Sequence, residues 1–392
     1  MKRCLMIILV AQMFLTGSIV VACTVFYASD GEMVLAGNNE DGSNPNTKVL
    51  FLPPEEGKYG RVYFEYDNFV PQGGVNDQGL FFDHTATGPL DVVLSKDKES
   101  PRRNLIHEVI ETCATVEEAL KVYDKYNLQF MQKFQTIFGD KTGDSAIIEG
   151  DVIIRKQGKY QILTNFHQSK VESGKYPCER YKIAVEMLEN ADDISVDLFR
   201  RILAAVHQEG SKTLYSNIYD LKRGIIYLYH FHNYENVVEI DLKEELKKGK
   251  QTHDLPSLFP RTFAAEAYDR NWVKELEKKK EELEERKAAK HNPNVDPEIY
   301  EAYVGQYTIS SAGLSRTITI MQEEDNLYYK VDSQKIELLP ESENRFFHMF
   351  LQVSWRAFFR EVTVTFLKDE TGKVNELEII LVDGRKISAK RT

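Results

Sequence analysis

The chain has 392 residues, of which 61 are acidic and 50 are basic, so its formal net charge at pH 7 is −11. This acidic balance argues against a nucleic-acid partner, which would require a basic surface. Hydrophobic residues make up 42% of the chain, as in ordinary globular proteins, and the length allows about two or three domains.

Residues 1–22 have the pattern of a removable export signal. A basic start is followed by a mostly apolar run and by small or branched residues just before Cys23. Gln12 and Thr16 interrupt the apolar run, and no basic stop-transfer cluster follows, which is typical of a signal peptide rather than a membrane anchor. The pattern predicts cleavage after Ala22, export to the periplasm or the extracellular space, and no stable membrane span after cleavage.

Cleavage would make Cys23 the first residue of the mature chain. Such a cysteine carries a thiol of reference pKa about 8.5 and an α-amine of reference pKa about 7.7–8.0, so it supplies a nucleophile and its own base. Residues 20–23 also fit a lipoprotein box, in which acylation of Cys23 would block this chemistry and anchor the protein to the envelope by its lipid. Lipoproteins usually continue with a flexible polar tether, whereas residues 24–27 begin a β-strand pattern at once. The sequence favours the bare cysteine and leaves the lipid-anchored alternative open.

Two further cysteines, Cys113 and Cys178, remain after cleavage. In an oxidising compartment they could form a disulfide, or they could stay as two buried thiols, and their spacing does not decide between the two. No Cys or His spacing indicates a metal site, so we expect no metal and no other cofactor. The oligomeric state, including a homo-oligomer, is left open.

Blocks of strand signals alternate with blocks of helix signals between Cys23 and residue 242. Thr115 and Glu118 have the spacing of a capping box, which marks the start of a helix. Blocks in this order predict stacked sheets covered by helices. The predicted strands are 24–29, 33–37, 48–52, 61–66, a meander over 134–166, 215–220 and 224–230, and the predicted helices are 102–112, one from Thr115, 178–188 and 195–207.

The character of the chain changes after residue 262. Residues 263–290 predict a charged helix with many Glu/Lys pairs four apart, which we interpret as a solvated bridging helix. From Tyr300 the pattern is all-β and predicts a separate small barrel or sandwich without a catalytic constellation. The predicted organisation is a signal peptide at 1–22, a catalytic domain at 23–262, a helical linker at 263–295 and a small accessory β domain at 296–392.

Three polar residues are candidates to complete a site around Cys23. Asp41 ends the second predicted strand, and a tight antiparallel return would place it beside Cys23, where a carboxylate could hold the amine. Asn165 ends the predicted meander, where its amide could donate to an oxyanion; losing one such donor costs about 10²–10³ in rate in other enzymes. Arg180 opens a predicted helix.

Five short motifs follow one another along the chain: Cys23-Thr24, Gly37-Asn38-Asn39-Glu40-Asp41, Gly74-Val75-Asn76-Asp77-Gln78-Gly79-Leu80, Leu163-Thr164-Asn165 and Arg180-Tyr181. Their order resembles the choloylglycine hydrolase and penicillin V acylase group. These linear-amide C–N hydrolases belong to the N-terminal nucleophile (Ntn) hydrolases, and the related acyl-CoA:6-aminopenicillanic acid acyltransferase-like proteins look similar too. The resemblance covers residues 23–245 and implies an α+β fold, an αββα sandwich, and hydrolysis of a small-molecule N-acyl amide at a linear, non-peptide C–N bond.

The resemblance also implies a role for each candidate residue. Cys23 would be the nucleophile and, through its amine, the base, and Asp41 would orient that amine. Asn165 would donate one hydrogen bond to the oxyanion, and the backbone N–H near Ala86 would donate the other. Arg180 would lie beside Cys23 and support the polar network around it.

One position departs from the family pattern. Asn38 stands where the family usually has arginine, so it could donate a hydrogen bond to substrate but could not supply the positive charge that lowers a thiol pKa. Residues 81–85 also place polar, titratable groups where a purely apolar acyl pocket would have none. The acyl and amine parts of the substrate are therefore left open. Two further hypotheses are an acyltransferase that uses the same thioester and a surface lipoprotein that binds an acylated ligand without cleaving it.

Overall fold

The computed structural model describes residues 23–67, 70–101, 103–209, 213–311, 314–331, 334–354, 356–382 and 384–392. The chain forms two compact units. The first consists of residues up to 42, 49–64 and 71–253, and the second consists of residues 43–48, 65–70 and 254–392.

Two β-sheets form the framework of the first unit. From Cys23 to Asp254 the strands are β1 (Thr24–Ser29), β2 (Val34–Asp41), β3 (Thr47–Leu52), β4 (Arg61–Tyr66), β5 (Pro71–Asn76), β6 (Leu80–Ala86), β7 (Phe134–Asp140), β8 (Ser145–Glu149), β9 (Val152–Arg155), β10 (Tyr160–Leu163), β11 (Thr213–Asp220), β12 (Ile225–His230), β13 (Asn233–Asp241) and β14 (Gln251–Asp254). The six-stranded sheet has the order β10-β1-β2-β11-β12-β13, and the eight-stranded sheet has the order β14-β3-β4-β5-β6-β7-β8-β9. The α-helices are α1 (Leu105–Thr112), α2 (Val116–Asp124), α3 (Glu179–Glu189), α4 (Val196–Val206) and α5 (Leu242–Lys247), and short 3₁₀ helices occupy Gln129–Met131, Gln168–Lys170 and Leu255–Leu258.

Helices cover the outer face of each sheet. The apolar residues of α4 recur three and four positions apart, so one side of the helix packs on the six-stranded sheet. There the rings of Phe199 and Phe26 lie 4.6 Å apart, and α3 joins the same core. On the eight-stranded sheet, α1 and α2 form the equivalent layer, with the rings of Tyr123 and Phe138 5.5 Å apart.

The inner faces of the two sheets pack against each other. The hydroxyl of Tyr27 in β1 donates to the backbone oxygen of Asp140 in β7 at 2.7 Å. A β-carbon at Gly139 would lie 2.4 Å from the Tyr27 ring, so this close approach of the sheets requires glycine. The rings of Phe81 and Tyr219, also from opposite sheets, have centroids 4.9 Å apart. The layers are therefore helix, sheet, sheet, helix, which confirms the predicted α+β fold and αββα sandwich.

Most predicted elements of this unit are confirmed. The capping box of Thr115 and Glu118 is present at the start of α2. All four strands of the predicted meander are present, but only β7, β8 and β9 form a meander, because β10 lies in the other sheet beside β1. The sequence did not predict β5, β6, β13, β14 or α5. Cys113 and Cys178 are free thiols, so the disulfide alternative is wrong; Cys113 is buried, and Cys178 is half-buried at the start of α3.

The second unit contains a closed barrel of eight strands, which decides between the predicted barrel and sandwich. A 3₁₀ helix at Pro297–Ala302 precedes the barrel in the chain. The strands follow one another around the barrel in chain order, and they are β15 (Gly305–Ser311), β16 (Leu314–Glu323), β17 (Asn326–Val331), β18 (Gln334–Ser342), β19 (Arg345–Val353), β20 (Ala357–Lys368), β21 (Val374–Ile380) and β22 (Lys386–Arg391). Its core includes the stacked rings of Tyr303 and Phe366, whose centroids are 4.2 Å apart.

The predicted charged helix is α6 (Phe263–Lys290). Our interpretation of it as a solvated helix is wrong for one face, because Trp272 and Leu283 are buried. The guanidinium carbon of Arg286 lies 4.2 Å from the centroid of the Phe359 ring in β20, so that face packs on the barrel of the same unit. Among the described helices, α6 included, none is both long and apolar enough to cross a membrane.

Candidate active site

Cys23 directly precedes β1, and the antiparallel return of β2 brings the predicted acidic partner to it. Thr24 pairs with Asn39, so the end of β2 lies next to Cys23. The Sγ atom of Cys23 is 3.6 Å from Oε2 of Glu40 and 4.0 Å from the backbone oxygen of Asp41. Cys23 is only 8% exposed, so its thiol is buried against this strand end.

The two faces of β2 divide the polar residues around Cys23 into two groups, since successive side chains of a strand point to opposite faces. On the helix-covered face, the side-chain amide of Asn39 donates to the backbone oxygen of Leu203 in α4 at 2.9 Å, and Asp41 follows on that face. Asn38 and Glu40 therefore face the eight-stranded sheet, on the same side as the Cys23 thiol.

Arg180 connects the predicted site residues. It lies in the first turn of α3, and its Nη1 atom donates to the backbone oxygen of Cys23 at 2.9 Å and to the hydroxyl of Thr24. Its Nη2 atom donates to Oδ1 of Asn165 at 3.1 Å, and its Nη1 atom is 3.7 Å from Oδ2 of Asp41. The planar guanidinium presents donors in several fixed directions, so one side chain fixes the relative positions of three predicted residues.

The carboxylate of Asp41 is buried among hydrogen-bond donors. The hydroxyl of Thr213 donates to its Oδ1 atom at 2.5 Å, and the side-chain amide of Gln208 donates to its Oδ2 atom. The sequence did not indicate either partner, because both are distant in the chain: Gln208 lies in the connection after α4, and Thr213 is the first residue of β11. In the full chain the nitrogen of Cys23 is a peptide amide, so the predicted amine exists only after cleavage at Ala22.

Asn165 and Ala86, the two residues predicted to form the oxyanion site, are in direct contact. Asn165 lies just beyond β10, and its side-chain amide donates to the backbone oxygen of Ala86, the last residue of β6, at 2.7 Å. A primary amide carries two N–H groups, so Asn165 has a second donor for another acceptor.

Two buried acidic residues beside Cys23 were not predicted as site residues. Glu40 of β2 is 2% exposed and Asp83 of β6 is fully buried. Burial and the negative charge of Glu40 raise the pKa of the Asp83 carboxyl well above its ordinary value. In the sequence, the side-chain alternation of a strand over residues 81–85 could have indicated Asp83, because it puts Asp83 on the same face as Phe81. Glu40 could have been found from its place in the motif between Asn39 and Asp41.

This environment keeps the Cys23 thiol protonated. Burial, followed by the charges of Glu40 and Asp41, raises the pKa of the thiol well above its ordinary value, and the contact with the Asp41 backbone only partly opposes this. Asn38 adds no positive charge, and Arg180 contacts the backbone oxygen of Cys23. Reaction at this sulfur therefore requires a base that removes the proton.

A family model described as a domain of unknown function (DUF3471) matches residues 289–391, which contain the barrel and the end of α6. No curated protein matches the chain.

Several solved structures are similar to the chain. A mutant of the conjugated bile acid hydrolase from Clostridium perfringens has 17% sequence identity and a TM-score of 0.46, with 59% of this chain and 96% of that chain covered. The penicillin V acylase from Agrobacterium tumefaciens has 18% identity and a TM-score of 0.39, with 59% and 91% covered. The Caenorhabditis elegans ortholog of N-acylethanolamine-hydrolyzing acid amidase has 16% identity and a TM-score of 0.41, with 51% and 93% covered.

Proposed function

We propose that the protein is an exported amidohydrolase that cleaves the linear C–N bond of an N-acyl substrate, with Cys23 as its N-terminal nucleophile. One observation carries the proposal: the guanidinium of Arg180 contacts the backbone of Cys23, the side chain of Asn165 and, at 3.7 Å, the carboxylate of Asp41. An N-terminal cysteine nucleophile needs a carboxylate for its amine and a donor for its oxyanion. A residue of each type lies against the guanidinium that contacts the backbone of Cys23.

In the first half of the reaction, removal of residues 1–22 provides the α-amine of Cys23 as the base. The amine accepts the thiol proton, and the sulfur attacks the carbonyl carbon of the substrate amide. Asp41 holds the resulting ammonium, while Asn165 and the backbone N–H near Ala86 donate to the developing oxyanion. The ammonium then gives its proton to the departing nitrogen as the C–N bond breaks, which leaves an acyl thioester and a free amine product.

In the second half, water replaces the amine product. The α-amine accepts a proton from water, the oxygen attacks the thioester carbonyl, and the C–S bond breaks. The sulfur regains its proton, and a carboxylic acid is released. If an amine attacked the thioester instead of water, the same site would perform acyl transfer.

The start of β1 supports a bare cysteine over a lipid-anchored one. β1 begins at Thr24, immediately after Cys23, and it is paired with β2 on one side and with β10 on the other. No tether separates Cys23 from the described strands, whereas the cysteine of a lipoprotein usually has one.

The first test is the intact mass and N-terminal sequence of protein recovered from the cell envelope and from the medium. We expect a chain that begins with unmodified Cys23. A diacylglycerol on Cys23 would contradict the proposal, because the thiol would be blocked, and would favour the lipoprotein hypothesis.

The second test is a screen of N-acyl 4-nitroanilides with wild type, Cys23→Ser and Cys178→Ser. Cys23→Ser should abolish both turnover and the acyl-enzyme mass, whereas Cys178→Ser, which alters a half-buried thiol that the mechanism does not use, should retain both. An unchanged rate in Cys23→Ser would refute the assignment of the nucleophile. Turnover that yields mainly an N-acyl product in place of the acid when an ordinary primary amine is added would assign acyl transfer in place of hydrolysis.

A further inference from the structure

Two buried carboxyl groups from opposite sheets influence the Cys23 thiol. Glu40 comes from β2 of the six-stranded sheet, and Asp83 comes from β6 of the eight-stranded sheet. Both act electrostatically on Cys23 and on each other. Gly73 of β5 provides the space for one of them, because a β-carbon there would lie 2.3 Å from Oδ2 of Asp83.

Two asparagines extend this cluster on the six-stranded sheet. Asn38 precedes Glu40 by two positions on the same face of β2. Asn217 of β11 is the cross-strand partner of Asn38. The side-chain amide of Asn217 donates to the hydroxyl of Tyr219 at 2.9 Å, which leaves its Oδ1 atom as an acceptor. We call these four residues, Asn38, Glu40, Asp83 and Asn217, the acceptor pocket.

The acceptor pocket has buried oxygens without donors. Both carboxylate oxygens of Asp83, Oδ1 of Asn38 and Oδ1 of Asn217 have no hydrogen-bond partner among the described residues, and all three residues are at most 1% exposed. The large majority of buried side-chain polar atoms in proteins have a hydrogen-bond partner, because a buried polar atom without one is destabilising. Several unpartnered acceptors in one cluster indicate a site for a ligand rich in donors.

We propose that the acceptor pocket binds a positively charged nitrogen of the substrate, a primary ammonium or a guanidinium, and so selects cationic N-acyl amides. An ammonium offers three donors and a guanidinium offers five, and neither has an acceptor that would conflict with the oxygens of the pocket. This inference rests on the proposed function, since it assumes that the substrate reaches Cys23. The rings of Phe81 and Tyr219, 4.9 Å apart, form an apolar contact between the inner faces of the two sheets.

A cation in this position would also change the chemistry of the nucleophile. Glu40 and, when it is ionised, Asp83 disfavour a thiolate at Cys23, and a bound positive charge would offset this repulsion. Binding of the correct substrate would therefore promote formation of the thiolate that attacks it. A neutral substrate of the same shape would lack this assistance, so it would react more slowly through the α-amine alone.

The test measures binding without turnover, in the Cys23→Ser variant, by calorimetry with two matched pairs of amides. The first pair varies the acyl side: N-methyl-6-aminohexanamide ends in an ammonium where N-methylheptanamide ends in a methyl group. The second pair varies the amine side in the same way: N-(5-aminopentyl)acetamide carries the ammonium, and N-hexylacetamide carries the methyl group. In at least one pair we expect the cationic member to bind about tenfold to a hundredfold more tightly, the range for a hydrogen bond to a charged group.

Variants of the pocket then locate the preference. Glu40→Gln and Asp83→Asn, each added to Cys23→Ser, should reduce the preference to less than about a third of its initial value, whereas Glu235→Gln, which neutralises an exposed carboxylate, should keep it. Either pocket variant alone suffices if the other does not fold. Equal binding of both members in both pairs overturns the inference, as does a cation preference that survives both pocket variants. Hydrolysis of the 4-nitroanilides by wild type tests the proposed function separately, so the two failures are distinguishable.

Discussion

Replacing Glu40 with glutamine should make the Cys23 thiol react faster with a disulfide reagent. The carboxylate of Glu40 is, after burial, the largest cause of the raised thiol pKa. Glutamine keeps the size and shape of the side chain but removes its charge. The pKa of the thiol should therefore fall, and more of it should be thiolate at neutral pH.

The Sγ–Oε2 distance of 3.6 Å sets the size of the effect. Two unit charges at about this separation repel by about 1 kcal/mol at the dielectric constant of water and by about 4 kcal/mol at an effective dielectric constant near 20. Removing this repulsion would increase the thiolate population by about fivefold to about 1000-fold. A less basic thiolate is also a weaker nucleophile, which cancels about half of the gain on a logarithmic scale, so we expect a rate increase of about twofold to fortyfold.

The assay is the rate of reaction with 4,4′-dithiodipyridine at pH 7, with the rate of Cys23→Ala subtracted to remove the contribution of the other thiols. Glu235→Gln is the matched control, because it removes the same charge from an exposed position and should leave the rate unchanged. All proteins must have the same N-terminus, verified by intact mass. A rate in Glu40→Gln that is equal to or lower than that of the control would refute the electrostatic account of this thiol.

Three further predictions follow from contacts described above. Asn165→Ala should lower kcat/KM by about 10²–10³ while leaving the reaction of Cys23 with the disulfide reagent unchanged; a loss below tenfold would contradict its role as an oxyanion donor. Gly139→Ala should lower the free energy of unfolding, measured in urea, by about 1–3 kcal/mol, because the new methyl group meets the Tyr27 ring. Gly88→Ala should change it little, because a β-carbon there meets nothing within 4 Å. Equal losses of unfolding free energy in the two variants would contradict this. Because the pKa of Asp83 is raised in the folded state, this carboxyl keeps its proton at pH values where the unfolded chain, with the ordinary pKa of 3.8, has lost it. The free energy of unfolding should therefore fall as the pH rises. Asp83→Asn should make the free energy of unfolding less dependent on pH between pH 4 and 8. Parallel curves of unfolding free energy against pH for the variant and the wild type would show that another group is responsible.

Much of the candidate site could be predicted because its signals are local. Strand alternation and the short return from β1 to β2 already placed Asp41 beside Cys23, and the pairing of Thr24 with Asn39 has this geometry. Arg180 and Asn165 were located by motifs at element ends, where side chains reach a site without a change in strand register.

The acidic half of the site could not be predicted in the same way. Asp83 reaches the thiol only because β6 lies in the opposite sheet and because Gly73 leaves space beside it, and both conditions depend on contacts between distant strands. β5 and β6 themselves were not predicted, since glycines in one and polar residues in the other mask the strand pattern. The closure of the barrel likewise depends on pairing between its first and last strands, Tyr307 with Arg391, which no local pattern specifies.

The position of β1 inside its sheet has a practical consequence for handling the protein. Chain termini usually fray, but Val25 to Ala28 pair with β2 on one side and with β10 on the other, so a mature N-terminus at Cys23 would be held in a fixed register. A purification tag or one surplus residue left there would move the free amine away from Cys23 without disturbing the strand. Such a preparation would fold, melt normally and remain inactive, so tags belong at the C-terminus, after β22.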